Sequence, residues 1–214
     1  MKRKVFIPVV LLLFFTSFAA YSQFDHKRAS ISLTLGYDQS SVTNDMGRGT
    51  VRNAIYGGAL LNWKWTDYVS LQPGLLLVPK GYDSYQMASN GAHFDYKVRA
   101  YYLEIPLTAV FSIPLARNLR LQIDPGLYYS YGMFGKIKMD MIRWERVCEI
   151  FGKERDIEQW MRNDTGWMAG VGLEFFNRLV VRAHYEQGFV KLVTNDDLKR
   201  RNKMWGISLS YKIY

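Results

Sequence analysis

Cysteine is nearly absent, with Cys148 alone in 214 residues. A single thiol excludes a disulfide framework and a cysteine-rich zinc module. Histidine is scarce as well, with three. His26 and His93 lack the spacing of a ligand set, so neither a metal nor a cofactor is expected. Proline is held to 6 residues and charged residues to 22%, unlike a disordered chain. Repeated apolar runs of helix-spanning length are missing too. With 49% hydrophobic residues and a mean hydropathy of −0.15, a polytopic helical membrane protein is excluded. What the chain has in plenty is aromatic, with Tyr 15, Phe 12 and Trp 6 making 15%.

The one apolar run stands at the start. Lys2, Arg3 and Lys4 precede an uncharged apolar stretch over 5–18, and Ala20 and Ser22 occupy the −3 and −1 positions of a cut before Gln23. That order of charge, apolar centre and small-residue exit is what the export machinery reads. Residues 1–22 are therefore expected to be a signal peptide and 23–214 a single domain. The full chain carries 28 cations and 19 anions. Losing the three leader cations brings the net charge from +9 to +6. On an exported chain such charge meets lipid phosphates or solvent, so nucleic acid is not expected as a partner.

Beyond the leader, apolar and polar residues alternate with period two, the mark of a strand with two unlike faces. Ile31, Leu33, Leu35 and Tyr37 alternate with serine, threonine and glycine. Leu71, Leu75 and Leu77, then Leu121, Ile123 and Leu127, then Val171 and Leu173, then Val181, Ala183 and Tyr185, then Ile207, Leu209 and Tyr211 repeat the pattern. Eight strands are predicted, over 29–37, 52–63, 69–80, 98–112, 119–130, 166–176, 179–187 and 203–214.

The connections differ in length by parity. Those after the second, fourth and sixth strands are short. Those after the first, third, fifth and seventh are long, over about 38–51, 81–97, 131–165 and 188–202. Long loops thus gather at one end and short turns at the other, as in outer-membrane barrels. The faces agree. The polar face carries Asp124, Glu174, Arg182, His184, Glu186 and Lys212, more charge than a soluble core tolerates unpaired. The expected fold is all-β, an eight-stranded antiparallel up-and-down transmembrane barrel with its apolar face toward lipid. Two aromatic girdles are expected. Trp63, Trp65, Tyr68, Phe175, Phe176, Tyr211 and Tyr214 would form the one at the short-turn end. Tyr37, Tyr82, Tyr101, Tyr129, Tyr131, Trp167 and Trp205 would form the other.

Five segments resemble the PorT-like outer-membrane beta-barrel family of Gram-negative bacteria. They are 71–82 (LQPGLLLVPKGY), 101–107 (YYLEIPL), 125–131 (PGLYYSY), 164–174 (DTGWMAGVGLE) and 182–189 (RAHYEQGF). The resemblance implies an eight-stranded outer-membrane barrel, with a link to type IX secretion and gliding for some relatives and no assigned activity for many. The closing strand, with Gly206, Leu209 and Tyr211, also resembles the signal read by the barrel assembly machinery, an expected partner during insertion.

Eight strands leave an interior that side chains can fill. Glu104, Arg120, Asp124, Glu174, Arg182, His184 and Glu186 are expected there as a mutually paired polar plug, since buried charges are tolerated in pairs. The expected role is structural or interactive, without catalysis. Two alternatives stay open: a lipid-active barrel enzyme centred on His184, and a narrow channel.

The longest connection, 131–165, changes period. Met141, Trp144, Cys148 and Phe151 recur at three and four residues, as do Ile157, Trp160 and Met161. This spacing predicts one or two short amphipathic helices over 138–162 in an extracellular loop. Trp144, Phe151, Ile157 and Trp160 are the candidate anchors for a protein partner. Lys191, Lys199, Arg200 and Arg201 in the last long loop suit the phosphates of outer-membrane lipid and lipopolysaccharide.

Overall fold

The computed structural model describes residues 28–43, 50–87, 93–141, 144–151, 161–192 and 200–213. The leader, Ile157, Trp160 and Tyr214 lie outside these residues, as do Lys199 and His26. Among the described residues the regular structure is entirely β. The strands are β1 (Ala29–Val42), β2 (Thr50–Lys64), β3 (Val69–Lys80), β4 (Tyr82–Met87), β5 (His93–Ala116), β6 (Leu119–Met141), β7 (Trp144–Glu149), β8 (Asn163–Phe175), β9 (Leu179–Gly188) and β10 (Asn202–Lys212).

Every pairing is antiparallel, and the sheet closes on itself when β1 pairs with β10, from Ser32 opposite Lys212 to Val42 opposite Asn202. β3 and β4 act as one stave broken at Gly81, because both run between β2 and β5. The barrel therefore has eight staves. β7 is additional. It folds back on the far end of β6, from Lys136 opposite Glu149 to Met141 opposite Trp144. Closure satisfies backbone donors and acceptors along the wall, which a strand needs in hydrocarbon.

The alternation read from the sequence is the alternation of the wall. Along β10, Trp205, Ile207, Leu209 and Tyr211 are exposed, while Met204, Gly206, Ser208 and Ser210 are buried. The polar face points inward and the apolar face outward, the reverse of a soluble barrel. The short turns are tight. Phe176 and Asn177 both have positive φ, 53° and 57°, the twist that suits a two-residue hairpin. The N–H of Arg178 closes it on the Phe175 carbonyl at 3.0 Å.

Two apolar clusters lie inside. One packs Tyr56, Leu60, Leu76, Val78 and Met204 around the middle of the barrel. The other caps the long-loop end with Tyr82, Val98, Tyr102, Ile137, Ile150, Phe151 and Leu192.

Three expectations are corrected. The helical insertion over 138–162 is not formed in its described part, because β6 runs on to Met141 and β7 follows at once. The hairpin pairs β7 with β6 along six registered positions, from Lys136 opposite Glu149 to Met141 opposite Trp144. Ile137 faces in between the outward Lys136 and Lys138, so the segment has period two, which the three-and-four recurrence of large residues concealed. Phe151 is not a free anchor. It is 3% exposed, and its ring meets Tyr102 edge-on at 5.5 Å. Tyr82 is no girdle residue, since it faces into the cap, 2% exposed. Trp63, Trp65, Tyr68, Phe176 and Tyr211 at one end, and Tyr37, Tyr131, Trp167 and Trp205 at the other, do stand exposed on the outer wall.

Candidate functional site

The polar lumen is where the chain concentrates ionisable side chains, and strand register places each one. Glu104 on β5 stands opposite Ser130 on β6, and Ser130 opposite Asp164 on β8. Lys80, at the end of β3, reaches into this group. Its ammonium lies 2.8 Å from Glu104, 3.4 Å from Asp164 and 4.0 Å from Glu186. It also donates to the Ser130 hydroxyl at 3.1 Å and sits 4.0 Å from the centre of the Tyr128 ring. The Ser130 hydroxyl donates to Glu104 at 2.7 Å. Asp164 accepts from Tyr128 at 3.2 Å and from Asn202 at 2.8 Å. Lys80 and Glu104 are essentially without solvent exposure. In such surroundings, several donors and acceptors on each ion are needed to offset desolvation.

One step further toward the short turns, a single rung of the ladder reads Asp38, Gly206, His184, Gly170 and Asp124 across β1, β10, β9, β8 and β6. The two glycines make this rung possible. A Cβ on Gly206 would lie 1.9 Å from Asp38 Oδ1, and one on Gly170 would lie 2.7 Å from Asp124 Oδ2. The carboxylates therefore lean over glycine backbone from both sides. His184 Nε2 lies 3.0 Å from Asp38 Oδ1, and the Tyr56 ring packs edge-on against the imidazole at 5.5 Å. Arg182 Nε lies 3.2 Å from Asp124 Oδ1.

At the short-turn end, Glu174 accepts from Gln122 at 2.5 Å and meets the Lys212 ammonium at 2.5 Å. Asn62 donates to Ser32 at 2.8 Å and accepts from Gln72. At the opposite end, Arg52 donates to the carbonyls of Lys80 at 2.8 Å and Ala100 at 3.2 Å, which secures the break at Gly81.

Of the seven residues predicted for the lumen, six are buried in it: Glu104, Asp124, Glu174, Arg182, His184 and Glu186. Arg120 is half-exposed near the short-turn rim. It stands opposite Glu174 in register, but Lys212 makes the ion contact with that carboxylate. Sequence reasoning missed Lys80, Asp38, Asp164 and Arg52. Strand parity carried the signal for Lys80, which shares the inward parity of Gln72. Leu76 and Val78 between them are apolar and hid it. Asp38 and Asp164 lie one and two residues outside the predicted ends of their strands.

The arrangement limits what can happen inside. The cavity lined by Tyr56, Asp124, Arg182, His184 and Glu186 measures about 30 Å³, room for about one water and not for an acyl chain. Among the described residues, no group of three or more histidine, cysteine or acidic side chains is placed to hold a metal ion. Cys148 is a buried free thiol. Of the proposed anchors, Phe151 is buried, Trp144 opens β7, and Ile157 and Trp160 fall outside the described residues.

A family model described as outer membrane protein beta-barrel domain matches residues 20–194. No curated protein matches the chain. Several solved structures are similar. The attachment invasion locus protein Ail of Yersinia pestis is 16% identical with a TM-score of 0.44, over 87% of this chain and 99% of that one. Neisserial surface protein A is 11% identical with a TM-score of 0.45, over 86% and 97%. The outer membrane protein OprG from Pseudomonas aeruginosa is 11% identical with a TM-score of 0.43, over 87% and 97%.

Proposed function

The chain belongs to the outer membrane protein beta-barrel domain family, and from that premise we propose that it is a sealed, non-catalytic outer-membrane barrel with a structural or interaction role. The observation that carries this reading is the filled lumen. Around Lys80, three carboxylates, a serine and a tyrosine are joined in one network. Above it the mouth is closed by the Tyr82, Tyr102, Ile137 and Phe151 cluster. Solute passage would require dismantling both layers. What such a barrel offers to others is its outer wall and its long-loop end.

In this reading the leader is cleaved before Gln23, the closing strand is recognised by the barrel assembly machinery, and the long loops face outward. Type IX secretion, implied for some PorT-like relatives, is the pathway in which to look for a phenotype. His184 serves in this account as a spacer between Asp38 and Asp124 on their shared rung, not as a base.

The test is complementation. A deletion strain is supplied with a His184→Ala variant whose heat-modifiable migration shows a folded barrel. Restored secretion and growth are expected. Failure to complement with a folded, inserted barrel would move the function into the lumen and revive the lipid-active reading.

A further inference from the structure

Besides the outer wall and the long-loop end, the barrel has a third exposed surface, the short-turn mouth of its lumen. Lys64 ends β2 and shares the inward parity of the buried Asn62. Lys212 ends β10 on the parity of Ser210, and Arg120 lies at the start of β6 on the parity of Gln122. Among the described residues, Glu174 is the one acid that shares this inward rim. Both of its oxygens are engaged, one accepting from Gln122 and the other meeting Lys212. Among the described residues, neither Lys64 nor Arg120 forms an ion pair. Asp67, exposed in the β2–β3 turn, forms none either.

Strand order spreads these cations around the ring. Two steps from stave to stave separate Lys64 on β2 from Lys212 on β10, and three separate each of them from Arg120 on β6. They therefore approach the mouth from three sides. Lys64 and Arg120 stand close enough for their charges to bear on the Lys212 ammonium. The Lys212 side chain is 14% exposed, so water screens it little. A cleft lined by one sign of charge between low-dielectric walls focuses its field outward. Arg117 and Arg178, in the β5–β6 and β8–β9 turns, add exposed cations around the rim. At the long-loop end the charges of β4, β5 and β6 are paired instead, Arg99 with Asp83, and Lys97 and Lys138 with Asp140.

We propose that this mouth is a docking site for an acidic, extended peptide segment of a periplasmic partner protein, one carboxylate of which lies on the barrel axis among Lys64, Arg120 and Lys212. Parity decides against a lipid headgroup. The three cations belong to the lumen face, while the lipid face at this level is Trp63, Tyr68 and Tyr211, all exposed on the outer wall. The interior of an eight-stranded barrel is narrow, which suits the tip of an extended chain and not a globular surface. The surrounding Arg117 and Arg178 favour a ligand carrying several carboxylates over a single small anion. The compartment of the partner rests on the outward orientation of the long loops proposed above.

The experiment is fluorescence anisotropy of labelled hexaglutamate with the full-length barrel in phosphatidylcholine nanodiscs, where both ends of the barrel meet solvent. Binding should saturate, weaken as salt is raised, and resist competition by inorganic phosphate or glycerol phosphate at matched ionic strength. Lys64→Glu and Arg120→Glu should each weaken it about tenfold. Lys138→Glu, the same change of charge at the long-loop end, should leave it unchanged. Heat-modifiable migration certifies each variant as folded. Equal weakening by Lys138→Glu would reduce the effect to general attraction to a basic protein, and displacement by either phosphate would make the mouth a small-anion or headgroup site. Either result, or indifference to both mouth substitutions, would overturn the proposal. The assay does not depend on orientation. Labelling of a cysteine placed at Asn177 from the cell surface would defeat the orientation and the periplasmic partner together, while a binding result would still stand for the site.

Discussion

Lys80 is the cation on which the most buried carboxylates depend, with Glu104, Asp164 and Glu186 around it. Replacing it by Met leaves their charge uncompensated, and breaking a buried pair in this way costs about 3–5 kcal/mol. Urea unfolding of refolded barrel in detergent micelles should show that loss. A Lys80→Met variant as stable as the wild type would mean that the carboxylates are not held as ions by the ammonium. Gly206 tests the neighbouring rung. A methyl group there would meet the Tyr37 carbonyl at 2.4 Å as well as the Asp38 carboxylate. The carbonyl belongs to the wall and cannot swing away, so Gly206→Ala should cost about 1–3 kcal/mol in the same assay. At this scale the sequence is legible where polar and apolar residues alternate without interruption, as at Arg182, His184 and Glu186. It is illegible at Lys80, because Leu76 and Val78 share its inward face and belong to an internal apolar belt. A barrel interior is polar on average, but its residues are chosen to fill space as well as to pair.

Among the elements, the strands were readable and their upper ends were not. The predicted spans agree with the wall wherever lipid requires an apolar outer face. β5 and β6 run on past that band, to 24 and 23 residues. Their outer face there is charged, with Lys97, Arg99, Lys136 and Lys138 alongside Asp83 and Asp140. Inside that extension the core becomes apolar, so the polarity rule that identifies the lower strands reverses, and the spacing over 138–162 predicts helix where the described part is strand. The cap can be tested through its own thiol. Cys148 is buried opposite Ile137 of the cap, and Phe151, three residues further along the chain, packs over Gly132. Maleimide should leave native protein unlabelled. Phe151→Ala, which removes about 3–5 kcal/mol of buried aromatic packing, should make Cys148 react without loss of heat-modifiable migration. An unreactive thiol in that variant would show that Phe151 does not close the cap. The wall itself predicts depth dependence. Arg at Val171 or Leu209, both exposed on the outer face, should cost about 2–4 kcal/mol at the bilayer midplane and less near an interface. A cost as small as at a rim position would place these residues out of the hydrocarbon.

The whole molecule combines an apolar outside with a cross-linked polar inside and a lid of aromatic and aliphatic residues at the long-loop end. Its family places it in the outer membrane, where an eight-stave barrel can be a scaffold, a displayed surface, an enzyme or a conduit. Length parity and period two were enough to reach the architecture, because lipid on one side and closure on the other leave few choices. They could not reach the cap, which is built from positions far apart in the chain: Tyr82, Val98, Ile137, Phe151 and Leu192. In the proposed reading these two internal layers seal the barrel. Planar-bilayer recording tests it most directly. The wild-type protein, reconstituted at single-molecule density, should give no resolvable conductance steps, whereas a variant lacking both Tyr102 and Phe151 side chains and the Lys80 ammonium should. Steady ohmic conductance from the wild-type barrel would show that the interior is open.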